Sequence, residues 1–166
     1  SNWNMAIIAG QPLKETGEYS FAEVVVDDAT GQYTLRSISF FEKDGEIIAF
    51  SASEVFQTPN YLTLQVADEQ HISLSPACLQ YTNHSCEPNV FFDTTNMKMI
   101  ALRDIRPGEE FRFFYPSTEW KMARPFSCNC QAKNCLGTIS GASQLSETLI
   151  QQHRLTDFII KKLSML

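Results

Sequence analysis

Positive charge is scarce in this chain: 13 Lys and Arg stand against 19 Asp and Glu, a net charge of −6. A nucleic-acid binder normally shows a basic patch, so direct nucleic-acid binding is not expected, and a basic partner such as a lysine-rich tail fits the sign better. Long apolar runs are missing as well. None approaches the ~20 residues that span a bilayer, and no basic segment followed by an apolar core opens the chain. The expectation is no membrane association and an intracellular protein, cytoplasmic or nuclear. There is no internal repeat, no low-complexity tract and no linker. The 166 residues therefore read as one domain with a tail.

What is present is a globular composition, 43% apolar and 19% charged. Residues 21–26 and 33–41 are rich in β-branched and aromatic side chains and flank the turn-prone Asp27-Asp28-Ala29-Thr30-Gly31. Lys43-Asp44-Gly45 then separates 37–41 from 47–50, a hairpin signal. Residues 61–66 alternate apolar and polar, as a half-buried strand does. Val90-Phe91-Phe92 and Met99-Ile100-Ala101-Leu102 flank Asp93-Thr94-Thr95-Asn96 and predict a second hairpin. Residues 110–115 predict one more short aromatic strand. Residues 117–141 hold few strand formers. From Ser146 onward Leu149, Ile150, His153, Phe158, Ile159 and Leu163 approximate helical spacing, with Ser146 and Thr156 as candidate caps. The body is mainly β, and the tail is helical.

Five cysteines is an odd count, and three of them crowd into Cys128-x-Cys130-x4-Cys135. A disulfide between residues so close gains little from loop closure, whereas clustered cysteines in a non-secreted chain point to metal. Tetrahedral structural zinc takes four ligands, so a fourth must come from Cys78, Cys86 or a histidine. Cys86 lies in a polar turn that can aim it outward, while Cys78 sits in a setting more like ordinary packing. The plain alternative is five reduced, packed thiols.

Three ordered motifs now stand together: Asn83-His84-Ser85-Cys86-Glu87-Pro88-Asn89, then Gly108-Glu109-Glu110 with Tyr115, then Phe126-x-Cys-x-Cys-x4-Cys. In this order and at these separations they resemble the SET domain of protein lysine methyltransferases, followed by its post-SET module. The resemblance implies a mainly β, SET-domain-like knotted fold of short sheets, with a zinc-stapled post-SET loop and a C-terminal helical tail. It divides the chain into a SET domain over 5–122, a post-SET zinc segment over 123–141 and a helical tail over 142–166. It also implies S-adenosylmethionine as cofactor and one structural zinc on Cys86, Cys128, Cys130 and Cys135, leaving Cys78 spare.

By position, Asn83 and His84 correspond to cofactor-contacting residues, with Gly17, Tyr81, Trp120 and Phe126 as further cofactor contacts. Tyr115 corresponds to the catalytic tyrosine. Lysine is normally charged, with a pKa of ~10.4, so the site must receive or generate the neutral amine. A narrow, dry aromatic channel does so, and a phenol at its end orients the amine. Phe113 and Tyr115 correspond to that channel; phenylalanine rather than tyrosine at 113 leaves room for di- or trimethylation. Taken singly, each aromatic has a blander reading as core packing, Asn83 as a turn cap and His84 as a satisfied imidazole.

The chain departs from the family pattern in places. The Gly-x-Gly motif has only Gly17, with Tyr19 at the second glycine; Gln80-Tyr81-Thr82 replaces Arg-Phe-Ile; and Phe114 stands where Asp is common. The expected activity is methyl transfer to a lysine of a protein or peptide, histone-like in its basic character. The alternatives are a non-catalytic module that binds a basic peptide, or transfer to another nucleophile. Oligomeric state is left open.

Overall fold

In the computed structural model, which describes residues 21–166, five small β-sheets are followed by two short helices. Strands β1 (Ala22–Val26) and β2 (Tyr33–Ser37) pair antiparallel. Their turn is built by Asp27, whose carboxylate accepts the Ala29 and Thr30 amides, and by Gly31 at φ +70°. The two-residue alternation of the pair sends Ala22, Val24, Leu35 and Ser37 inward.

The next strand corrects an expectation. Lys43-Asp44-Gly45 does form a turn, closed by Gly45 N–H on Glu42 O at 3.0 Å, but its flanks do not pair with each other. Phe41 instead bridges Ile105, and β3 (Glu46–Ala49) pairs with a strand far along the chain. The turn chemistry was local and correct; the partner was decided by the core.

Residues 51–75 fold into a three-stranded sheet of β4 (Ser51–Phe56), β5 (Leu64–Ala67) and β6 (Gln70–Ser75), in the order β4-β6-β5. The strand expected over 61–66 begins only at Leu64. Asn60 Oδ1 accepts the Leu62 amide and Thr63 Oγ1 accepts the Asn60 amide, which makes a turn and leaves Tyr61 exposed. A 3-10 turn at Ala77–Tyr81 buries Cys78 and Leu79, and β7 (Asn83–His84) follows. The hairpin of β8 (Val90–Asp93) and β9 (Lys98–Ala101) forms as expected, its turn organised by the Asp93 carboxylate, and β3 lies along its outer edge. Residues 110–115 yield only the two-residue β10 (Arg112–Phe113) before a 3-10 turn at Tyr115–Ser117.

Past Ser117, β11 (Phe126–Ser127) pairs with β12 (Thr138–Ile139), closing a loop that holds three cysteines. Helices α1 (Glu147–Gln152) and α2 (Asp157–Ser164) start at the expected caps: Ser146 Oγ accepts Leu149 N–H and Thr156 Oγ1 accepts Ile159 N–H, both at 3.3 Å. The main core runs through Val24, Leu35, Leu64, Phe92, Met99 and Phe111. A second, smaller core joins Ala142, Leu155 and Ile159 to Trp120 and Phe158. The tail thus packs on the body, fastened by Thr156 N–H on Ser117 O at 3.0 Å, by Thr95 Oγ1 on Asp157 and by the Lys162–Asp68 ion pair at 2.9 Å. Among the described residues no helix is long and apolar enough to cross a membrane.

Candidate active and metal site

The site is built on a parallel pair only two residues long. Asn83 and His84 in β7 lie against Arg112 and Phe113 in β10. Strands this short cannot hold themselves, and Asn89 supplies the missing bonds. Its amide nitrogen donates to Glu110 O at 2.8 Å, and its side-chain oxygen accepts Arg112 N–H at 2.8 Å. Its own backbone N–H donates to Arg112 O at 3.0 Å. Asn89 belongs to the quoted motif, yet nothing in the sequence marks it as the clamp, because its partners lie more than 20 positions away. The Asn83 side chain donates to Tyr33 O at 3.0 Å and to Glu110 Oε2 at 3.4 Å, joining β7 to β2 and to the Gly-Glu-Glu segment.

Immediately after β10 the chain turns and presents Tyr115. Its ring lies 4.7 Å from that of Phe113, 5.1 Å from the His84 imidazole and 5.7 Å from Phe126. Phe113 in turn meets Phe92 edge-on at 4.9 Å, so the enclosure is continuous with the main core. Burial, and then the Glu119 carboxylate, hold the Tyr115 phenol well above its ordinary range. It stays protonated at any physiological pH. The Tyr115 N–H donates to His84 Nδ1 at 3.0 Å. Burial, then His153 and Arg112, bring the His84 imidazole down to about 4, so the ring is neutral.

Four thiols meet beside this enclosure. The Sγ atoms of Cys86, Cys128, Cys130 and Cys135 all lie within 4.8 Å of one another. A tetrahedron with ~2.3 Å metal–sulfur arms has edges of ~3.8 Å, so the set needs little adjustment to close on one ion. Leu136 N–H donates to Cys86 Sγ and Cys130 N–H to Cys128 Sγ, each at 3.4 Å, which favours thiolates. Burial pushes the Cys86 and Cys128 thiols up, whereas for Cys130 backbone and thiol donors outweigh burial and bring the thiol down. Bound to a cation all four would be thiolates, and an all-sulfur donor set suits zinc. Of the candidates for a fourth ligand that the spacing left open, Cys86 is the one the fold brings to the other three thiols. Cys78 lies apart, buried in the main core.

Tyr115, Phe113, His84 and Phe126 are therefore brought together. Tyr81 sits nearby in the main core, edge-on to Tyr33 at 5.3 Å. Trp120 is set apart in the second core, with the Lys162 ammonium 5.3 Å above its ring, because the tail supplies the apolar cover its indole needs. Gly17 lies outside the described residues.

Two features escaped the sequence reading. Glu119 is buried; its Oε2 accepts Thr118 Oγ1 at 2.6 Å and Gln65 N–H at 3.0 Å, and burial pushes its carboxyl up to about 7. Gln65 Oε1 also accepts Trp120 N–H at 2.9 Å, so residues 118–120 are bonded directly to β5. The second is Phe114, which stacks on His153 of the tail with ring centres 3.7 Å apart and planes 7° apart. No periodicity announces either contact, since each joins elements far apart in the chain.

Comparison with known proteins identifies the architecture. The SET domain family matches residues 6–116, well over half of the chain, and the chain belongs to that family. Over 102 residues it is 38% identical to the Methyltransferase flvH of Aspergillus flavus, covering 60% of this chain and 56% of that protein. It is 26% identical over 111 residues to the H3 lysine-36 specific histone-lysine N-methyltransferase of Saccharomyces cerevisiae, covering 63% of this chain and 15% of that one. The chain thus spans about half the length of the first relative and a small part of the second. The crystal structure of KRYPTONITE in complex with mCHG DNA and SAH is similar in fold, with a TM-score of 0.55 at 21% identity, over 71% of this chain and 29% of that one.

Proposed function

We propose that this SET-domain chain is an S-adenosylmethionine-dependent methyltransferase whose acceptor is a lysine of a basic protein or peptide, histone-like in character, with a structural zinc on Cys86, Cys128, Cys130 and Cys135. The observation that carries the reading is Tyr115: a half-buried, protonated phenol packed against Phe113, Phe126 and His84 beside a four-thiol cluster. Methyltransferase relatives and the SAH in a similar fold support the cofactor. The net charge of −6 supports a basic acceptor rather than nucleic acid. Free cysteines at all five positions suit a reducing compartment, cytoplasm or nucleus.

The cofactor would supply an electrophilic methyl group on a sulfonium; everything else is the work of this chain. The enclosure excludes water and disfavours an ammonium, so the acceptor amine reacts as the neutral base. Tyr115, held protonated, offers a fixed dipole to orient that amine rather than a base to deprotonate it. Phe113 lacks a hydroxyl and leaves the amine free to take further methyl groups. A cavity of about 200 Å³ beside Pro116, the residue after Tyr115, is lined by Leu136, Thr138 and Leu149 and would suit part of a cofactor, with Asn83 as a further contact by its place in the motif.

The test is the zinc-loaded chain with labelled cofactor and a mixed protein and histone pool, read by mass spectrometry. Tyr115→Phe should lower kcat by about 100-fold or more with KM little changed, and Phe113→Tyr should shift products towards monomethyl-lysine. Label on histidine or a small molecule would reassign the acceptor. No label in any pool, with no cofactor binding by calorimetry, would point to a peptide-binding module instead.

A further inference from the structure

His84 has two ring nitrogens, and both are occupied. Nδ1 accepts the Tyr115 backbone N–H at 3.0 Å, so it carries no proton. The one proton of a neutral imidazole therefore sits on Nε2, and Nε2 lies 3.4 Å from Cys86 Sγ. A metal-bound thiolate has no hydrogen to give, so the bond must run from Nε2–H to sulfur. Cys86 then receives two donors, His84 on one side and Leu136 N–H on the other. The ring cannot swivel, for it is packed between Phe114, Tyr115 and Phe126 at centroid distances of 5.1–5.8 Å.

We propose that His84 is a positioning residue that couples the metal to the tyrosine: locked as the Nε2–H tautomer, it bonds a zinc ligand with one nitrogen and fixes the Tyr115 backbone with the other. Its role in transfer rests on the methyltransferase reading above; its role towards the metal does not. A partner bonded to a metal ligand tunes metal affinity as well as ligand orientation. Because the ring is packed on three sides, a shift of Cys86 would bear on the Tyr115 backbone through it.

Two substitutions separate the two bonds. In His84→Asn the shorter amide reaches only the Nδ1 position and can still accept Tyr115 N–H; in His84→Gln the amide nitrogen reaches the Nε2 position and can still donate to Cys86. With the full zinc-loaded chain, zinc transfer to a colorimetric chelator should be about 10- to 100-fold faster for His84→Asn and near the parent rate for His84→Gln. The Tyr115 amide resonance should move in His84→Gln and stay in place in His84→Asn, and kcat should fall with the resonance while KM holds. The parent protein supplies a check that needs no variant: long-range proton–nitrogen spectra should show His84 protonated at Nε2. Protonation at Nδ1, or equal zinc release from both variants and the parent, overturns the proposal. Should the parent transfer no methyl group to any acceptor, the methyltransferase reading falls, while zinc release and the His84 spectrum still decide this one.

Discussion

Between residues 21 and 116 the chain fully buries Val24, Leu35, Phe92, Met99 and Phe111, and strands from distant parts of the sequence pair across them. Between 117 and 141 the only apolar side chain buried to that degree is Ile139. The second stretch is held instead by the thiol cluster, by the β11–β12 pair and by the bonds of Glu119 and Trp120 to Gln65. One region is stabilised by removing apolar area from water, the other by a few directional bonds and, in the function proposed above, by an ion among its thiols. The aromatic enclosure takes Phe113 and Tyr115 from the first region and Phe126 from the second, so it depends on both kinds of stability.

The sharpest way to break the contrast is to remove the proposed metal. Structural zinc in small sites contributes ~10–16 kcal/mol, so chelation, or Cys128→Ser, should release residues 126–139 and abolish transfer. Hydrogen exchange should show those amides losing protection while β2 and β9 keep theirs. Equal loss everywhere would mean that the body too depends on the ion. A core truncation should do the reverse. Phe92→Ala, at a fully buried site, should cost about 3–5 kcal/mol in denaturant unfolding while chelator-driven zinc release changes little until the body melts.

The smallest effect tests the join. Glu119 has a folded pKa of about 7 against an ordinary 4.5, so the folded state holds the proton more tightly than the unfolded one. Its contribution is therefore complete below about pH 4.5 and is lost as pH rises to about 7, on the order of 3 kcal/mol. Glu119→Gln should remove that slope from a plot of thermal stability against pH. A parent protein with no such slope would place the carboxyl in a wetter setting.

The residues legible in the sequence were those whose chemistry is local or whose spacing is peculiar. Three cysteines in eight residues speak for metal whatever surrounds them, and Ser146 and Thr156 cap helices using only their own neighbours. Asp93 makes its turn the same way. The hairpin expected at Lys43-Asp44-Gly45 failed at the point where local chemistry ends: the turn is there, but β3 takes its partner from β9, far along the chain. Glu119 and Asn89 were invisible for the same reason. Each does its work through a partner that only the fold brings near.

Phe114 has a practical consequence. At position 114 the chain carries a phenyl ring that is 1% exposed, stacked on His153 of the tail with His84 on the body beside it. A fragment ending near Gly141, the tidy boundary after β12, would strip that cover and lay bare Phe114 and the indole of Trp120 together. The body should therefore stay soluble with the tail retained, whereas a fragment ending near Gly141 should need Phe114→Asp to make the uncovered surface polar.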